Sequence, residues 1–217
     1  RAAGDLNTEG AILTNMGLGD TDANRVTQAL DCYAQALAAY QAAGSRQGIA
    51  NVQVNLGQTE INLGRMHKAQ GLLQQAVQTC QEIGAGRLEA MARANLGVAL
   101  YELGQPQDAY DTALEGLRLA RISGEVRTEA WAHHGAQQAA AALGRHADAL
   151  AHAQAACVQF TAHNEHGVAR INASAAVRHL HALGRDADAL AAADTLLAEV
   201  AAEGGWSNTA DGAFEPV

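Results

Sequence analysis

Apolar residues recur along this chain at helical spacing. Ile49, Val52, Leu56 and Leu63 form one stripe, and Leu190, Ala193, Leu197 and Val200 form another. Steps of three, four and seven residues keep side chains on a single helix face, so each stripe predicts an amphipathic helix with that face in a core. Only two prolines interrupt the chain, and runs of β-branched residues are short. The pattern therefore predicts helix nearly throughout.

Sliding the sequence against itself by 40 residues brings Ala29, Ala69, Ala109, Ala149 and Ala189 into register. Asn24, Gly64, Gly104, Gly144 and Gly184 each stand five residues before one of these alanines. A second ladder is Gly4, Gly44, Gly84, Gly124, Asn164 and Gly204. In both, the only substitute for Gly is Asn, the residue that best tolerates the left-handed backbone after Gly. Each ladder thus marks helix C-termini, and two per period means two antiparallel helices per repeat. The predicted helices are 8–18 and 22–43, 46–63 and 66–83, 86–103 and 106–123, 126–143 and 146–163, and 166–183 and 186–203.

Gly17, Gly57 and Gly97 fall inside predicted helices, where Gly is worse than Ala by about 1 kcal/mol. Close approach of the partner helix, presenting its register alanine, is the expected compensation. Repeat one looks degenerate: Gly17, Gly19 and the run DTDAN are expected to shorten its first helix, with Asp22 capping the next. The opening RAAG matches AAG at 42–44, so residues 1–7 read as the end of a preceding helix and the chain as a piece of a longer array. Beyond Gly204 the register fails. Residues 205–217 read as a loose tail, or as a partial cap in which Trp206 and Phe214 cover the last helix.

Leu56-Gly57…Gly64…Ala69 and Leu96-Gly97…Gly104…Ala109 resemble the tetratricopeptide repeat: a small residue after Leu in the first helix, Gly at the turn, Ala in the second helix. Repeats four and five keep Gly144…Ala149 and Gly184…Ala189 but carry Gln137 and Val177 at the mid-helix position. The period of 40, against about 34 in the standard repeat, is similar to that of long-helix variants. The resemblance implies an all-α fold over residues 8–204. It would be an α-solenoid of about five antiparallel helix pairs, wound as a right-handed superhelix around a concave groove.

First helices line the groove in that family, which implies a set of wall positions here. The first rung would carry Asn51, Met91, Trp131 and Ile171. One turn on would come Val54, Ala94, His134 and Ser174, with Asn55 and Asn95 beside them. Gln58, Val98, Gln138 and Arg178 would follow, then Asn62, Tyr101, Glu102 and His181. Side-chain amides both donate and accept, so they can pair with the backbone of a bound segment whatever its sequence. Met91, Trp131 and Tyr101 would supply apolar pockets that select side chains. The competing reading buries Met91 and Trp131 between repeats. Arg178 and His181 mixed with Glu102 do not make the cationic cluster that would clamp a free C-terminal carboxylate.

Composition narrows the picture. Aromatics are only 4% of the chain, so helices are expected to pack closely through small residues. A net charge of −9 and a single lysine, Lys68, argue against nucleic acid as a partner. Cys32, Cys80 and Cys157 are an odd set without a Cys-x-x-Cys pair, as suits packing thiols in a reducing cytoplasm. No apolar run is long enough for a membrane span, and no signal peptide is visible.

Chemistry-bearing motifs are weak. Asp20, Asp22, Asn24 and Asp31 mimic a calcium loop, but Arg25 stands where that loop needs Gly and Asp31 where it needs Glu. His133-His134 and the pair His179 and His181 lack the i,i+4 spacing of helical metal ligands. His134 and His181 converging between repeats would supply only two imidazoles. No phosphate loop, nucleophile elbow or zinc-protease motif occurs. The expectation is a non-enzymatic, cytoplasmic module without cofactor or metal that binds a protein or peptide in its groove. One alternative is a sensor or coupling segment of a larger signalling or transcription-regulatory protein. The other is a structural self-assembly module, a homo-oligomer joined through its uncapped terminal repeat.

Overall fold

The computed structural model describes residues 3–202, and these contain ten helices and no strand. They are α1 (Ala3–Asp22), α2 (Val26–Ala43), α3 (Arg46–Asn62), α4 (Met66–Ile83), α5 (Gly86–Glu102), α6 (Pro106–Ser123), α7 (Val126–Ala142), α8 (His146–Ala162), α9 (His166–Ala182) and α10 (Asp186–Ala202). Each helix packs on the one before it and the one after it, which makes an α-solenoid of helix pairs. Along the inner side α1 touches α3, α3 touches α5 and α5 touches α7. Among the described residues, no second helix of a pair approaches the next second helix comparably. The first helices therefore line the concave side.

The turn ladder is realised residue by residue. Gly44, Gly64, Gly84, Gly104, Gly124, Gly144 and Gly184 have φ between 67° and 74°, and Asn24 and Asn164 have φ of 56° and 59°. After each, the next N–H reaches back to close the helix end, as in Ser45 to Tyr40 O at 2.9 Å and Arg65 to Glu60 O at 2.8 Å. This Schellman closure satisfies carbonyls that a helix end would otherwise leave bare.

Repeat one departs from expectation. Its first helix is not shortened to 8–18 but runs unbroken from Ala3 to Asp22, through Gly17 and Gly19, and contains Gly4. Asp22 ends α1 instead of capping α2, which starts at Val26 after an Arg25 that provides no side-chain cap. Packing explains the continuity: α1 lies against α2 along its length, with Tyr33 and Tyr40 buried between them. Tertiary burial outweighs the weak helix propensity of two glycines. Asp20 forms an ion pair with Arg25 at 2.7 Å. Trp206 and Phe214, the expected cap, lie outside the described residues.

The core is built from alanine and a few large side chains, but the interhelical fit differs from the expected small-against-small contact. A methyl on Gly17 would come within 2.7 Å of the Tyr33 ring, and one on Gly57 within 2.6 Å of Leu73 Cγ. Of the three mid-helix glycines of the repeat register, Gly97 alone faces small residues, with Ala109 O at 3.4 Å and Ala113 Cβ at 3.5 Å. Tyr33, Leu73, Ala113, Ala153 and Ala193 occupy one register position, opposite Gly17, Gly57, Gly97, Gln137 and Val177 at another. In repeats one and two the bulk stands on the second helix, in repeat three both positions are small, and in repeats four and five the larger residue stands on the first helix. Cys32 and Cys80 are buried free thiols and Cys157 is half-buried; burial pushes the Cys80 thiol up to about 11.

Candidate functional site

The concave wall carries a row of amides. Among the described residues, the side chains of Asn51, Asn55, Asn95 and Gln138 have no protein partner, and all four are half-buried on α3, α5 and α7. Their donors and acceptors are open to a ligand. Gln58 instead donates to Asn62 Oδ1 at 3.1 Å, and Arg178 to Ser174 Oγ at 3.3 Å. His181 pairs with Asp186 at 2.6 Å, away from His134. Val98 and Tyr101 are half-buried, Glu102 is exposed, and Ile171 is exposed at the far end. Two wall positions do not reach the groove: Val54 and Ala94 are 1% and 4% exposed, because they are packed in the seams between adjacent pairs.

Beside this row a cleft of about 760 Å³ opens where α3 and α5 begin. Tyr40, Leu88 and Met91 give it an apolar lining, and Asn7, Gln47, Asn51 and Arg87 a polar one. The Tyr40 ring gets there because Gly48 has no side chain; a Cβ at that position would lie 2.2 Å from ring carbon Cδ1. Met91 is half-buried with one side on the core, so packing holds it while its free side faces the cleft.

A second rung is aromatic. Trp131 meets the Phe160 ring edge-on at 5.0 Å and the His134 ring at 5.7 Å. Asn172, fully buried, donates from Nδ2 to Val168 O at 2.8 Å, which turns its Oδ1 toward His134 Nδ1 at 3.1 Å. His134 must therefore carry its proton on Nδ1, leaving Nε2 as a bare acceptor. Burial holds its pKa below the ordinary value, opposed by the Asn172 bond.

Sequence spacing missed how the histidines meet, since their partners come from different helices. Arg121 Nη2 lies 3.2 Å from His133 Nε2, and His133 Nδ1 lies 2.8 Å from His152 Nδ1. A guanidinium only donates, so Nε2 of His133 accepts and its Nδ1–H donates to His152. Burial, with the neighbouring His152 and Arg121 charges, lowers the His133 pKa to about 4. On the next seam His179 lies 2.9 Å from Gln137 Nε2 and 3.4 Å from His146 Nδ1. Burial foremost, then His146 and Arg178, lowers the His179 pKa. Among the described residues, no three His, Cys, Asp or Glu side chains converge as a metal site requires. No helix among them is long and apolar enough to cross a membrane.

Residues 48–122 match the sequence profile of the tetratricopeptide repeat. Residues 48–122 thus carry tetratricopeptide repeats. No curated protein matches the sequence. Solved structures share the fold at low identity. A Rap protein complexed with Competence and Sporulation Factor superposes with a TM-score of 0.72 and 16% identity, over 89% of this chain and 54% of that one. Aspartyl phosphate phosphatase F from Bacillus subtilis gives 0.70 and 13%, over 90% and 51%. The TPR-like repeats of a putative kinesin light chain from Podosopora anserina give 0.67 and 16%, over 94% and 98%. The chain thus spans about half the length of the first two.

Proposed function

We propose that this tetratricopeptide repeat array is a non-enzymatic, cytoplasmic protein-interaction module that holds a peptide or extended protein segment in its concave groove. The observation that carries the reading is the row of unpartnered amides at Asn51, Asn55, Asn95 and Gln138. Open amides at helical spacing suit main-chain recognition, and Met91 and Trp131, each anchored on one side by the core, suit side-chain selection. Gln58, Asn62, Val98, Tyr101, Glu102, His134, Ser174, Arg178 and His181 complete the proposed wall. The scarcity of lysine and the net charge of −9 disfavour a nucleic-acid ligand. A Rap protein of similar fold, solved in complex with Competence and Sporulation Factor, supports the reading.

The test is selection of random displayed peptides on the full chain, then titration calorimetry of an enriched peptide against Asn95→Ala and Trp131→Ala. Each variant is expected to weaken binding by about tenfold or more, the loss of roughly 2 kcal/mol typical of an anchor residue. Unchanged affinity in both removes the groove assignment. The second reading, a coupling segment within a larger signalling protein, draws on the Rap protein and aspartyl phosphate phosphatase F each being about twice the length matched here.

A further inference from the structure

The inner row of first helices loosens at the aromatic rung. Among the described residues, α7 and α9 do not approach each other as α5 and α7 do. Side chains bridge the space instead: His134 of α7 reaches Asn172 of α9, and Trp131 stands beside it. In the two preceding repeats the His134 position holds Val54 and Ala94, both buried, so the wall is apolar there until His134 interrupts it. The Trp131 and His134 rings stand at 89° with centroids 5.7 Å apart, a corner with one apolar wall and one polar wall. Phe160, fully buried, backs Trp131 edge-on at 5.0 Å and holds it in place. The unused atom of the corner is His134 Nε2. Among the described residues it has no hydrogen-bond partner, and it is not one of the unpaired side-chain atoms sealed from solvent, which are Oε1 of Gln53 and of Gln159. Nε2 is therefore within reach of a ligand. Because burial holds the ring's pKa down, the imidazole is uncharged near neutral pH and Nε2 accepts.

We propose that Trp131 and His134 form a subsite for a tyrosine or tryptophan side chain of the bound segment. The inference rests on the groove reading and deepens it by naming the side chain that is chosen. Tyr and Trp combine a broad apolar body with a single polar hydrogen. The body covers the free side of Trp131, and the hydrogen is donated to His134 Nε2. Phe covers the same ring but strips Nε2 of water without pairing it, the loss by which a polar site rejects an analogue that lacks the donor. Lys and Arg are disfavoured by charge. Of the carboxylates and guanidiniums on α5 and α7, Glu102 alone lacks an ion pair among the described residues. It lies eleven residues beyond Met91, the register equivalent of Trp131, about 16 Å along the helix. A cation buried at the rung therefore has no countercharge. Asn172 is the positioning residue: its Nδ2 is committed to Val168 O, so its Oδ1 holds the His134 proton on Nδ1 and keeps Nε2 bare.

Proton–nitrogen NMR on the full chain reads the corner through the Trp131 indole N–H, identified by its disappearance in Trp131→Phe. The probes are p-cresol, 3-methylindole, toluene and propylguanidinium. The expected result is that p-cresol and 3-methylindole move the signal saturably and bind about fivefold more tightly than toluene, the worth of one hydrogen bond, while propylguanidinium leaves it in place. In His134→Phe the advantage of p-cresol over toluene should vanish. Imidazole correlations should show His134 protonated on Nδ1 in the wild type and a mixture of tautomers in Asn172→Ala, a change that lost stability alone does not produce. Equal binding of toluene and p-cresol to the wild type overturns the proposal, and needs no variant to fold. So does the absence of a saturable shift with any probe, a wild-type His134 protonated on Nε2, or an advantage that survives His134→Phe. Each of these failures leaves the amide row standing, since the Asn95→Ala titration tests that row separately.

Discussion

Placing the same substitution at two equivalent positions separates the packing account from simple helix propensity. Gly57 and Gly97 are related by the repeat and both lie mid-helix, so Gly→Ala should gain about 1 kcal/mol at each from the backbone alone. Their surroundings differ. At Gly57 the new methyl lands 2.6 Å from Leu73 Cγ and 2.7 Å from Cδ2, and Leu73 is fully buried. Cγ is the branch point of the side chain, so relief needs the whole isobutyl group, or α4, to move. Overpacking of this kind costs about 1–3 kcal/mol, so Gly57→Ala should be destabilising by up to roughly 2 kcal/mol net. At Gly97 the nearest atoms stand at 3.4 and 3.5 Å, ordinary contact, and Gly97→Ala should stabilise by about 1 kcal/mol. Introducing Leu73→Ala, which alone costs about 2–5 kcal/mol through its cavity, should make Gly57→Ala favourable in that background. Guanidinium unfolding followed by circular dichroism gives the three differences, and amide exchange in α3 and α4 localises them. Equal effects of the same sign at both glycines, or no change of sign with Leu73→Ala, would refute the interlocking of helix pairs described above.

Three further expectations follow from the seams and turns. Protonation of His133 is penalised in the fold, with its pKa lowered from 6.5 to about 4; stability is therefore full above pH 6.5 and falls as pH drops toward 4, by about 3 kcal/mol in all. In His133→Gln, which keeps a donor and an acceptor but does not titrate, pH-dependent thermal melts should lose that part of the decline. Glu60 is fully buried, bonded to Lys68 at 2.6 Å and Arg65 at 3.4 Å, while the repeat places Leu100, Ala140 and Leu180 at its equivalents. Glu60→Leu should be neutral or stabilising by about 1 kcal/mol or more in urea unfolding, whereas Lys68→Ala, which leaves the carboxylate short of a partner, should cost roughly 3 kcal/mol. Asn164 holds φ of 59°, so Asn164→Gly should raise the melting temperature slightly, and Gly144→Ala should lower stability by about 1–2 kcal/mol.

The turns were the most legible part of the sequence because backbone strain leaves few residues to choose from. Every Gly or Asn placed in a ladder between Asn24 and Gly184 has positive φ. Gly4 does not, since a single glycine in a matching tripeptide cannot say whether a helix precedes it. The length of α1 was hidden because propensity speaks for two glycines while packing against Tyr33 and Tyr40 decides. Side-chain partners across seams were hidden more deeply. Arg121, His133 and His152 belong to three helices, and no single-helix periodicity relates them. Wall residues were legible as a face but not in their depth: Val54 and Ala94 sit one step from open amides and are buried all the same.

The differing register pairs, Gly17 and Tyr33, Gly57 and Leu73, Gly97 and Ala113, and Gln137 and Ala153, give successive hairpins different keys. Modules that look alike in an alignment cannot then be shuffled, duplicated or averaged into a consensus without pairing a ring with a glutamine or leaving a hole beside an alanine. Order along the array is written into the contact between the two arms of every module, so a recombined chain would have to inherit its hairpins whole.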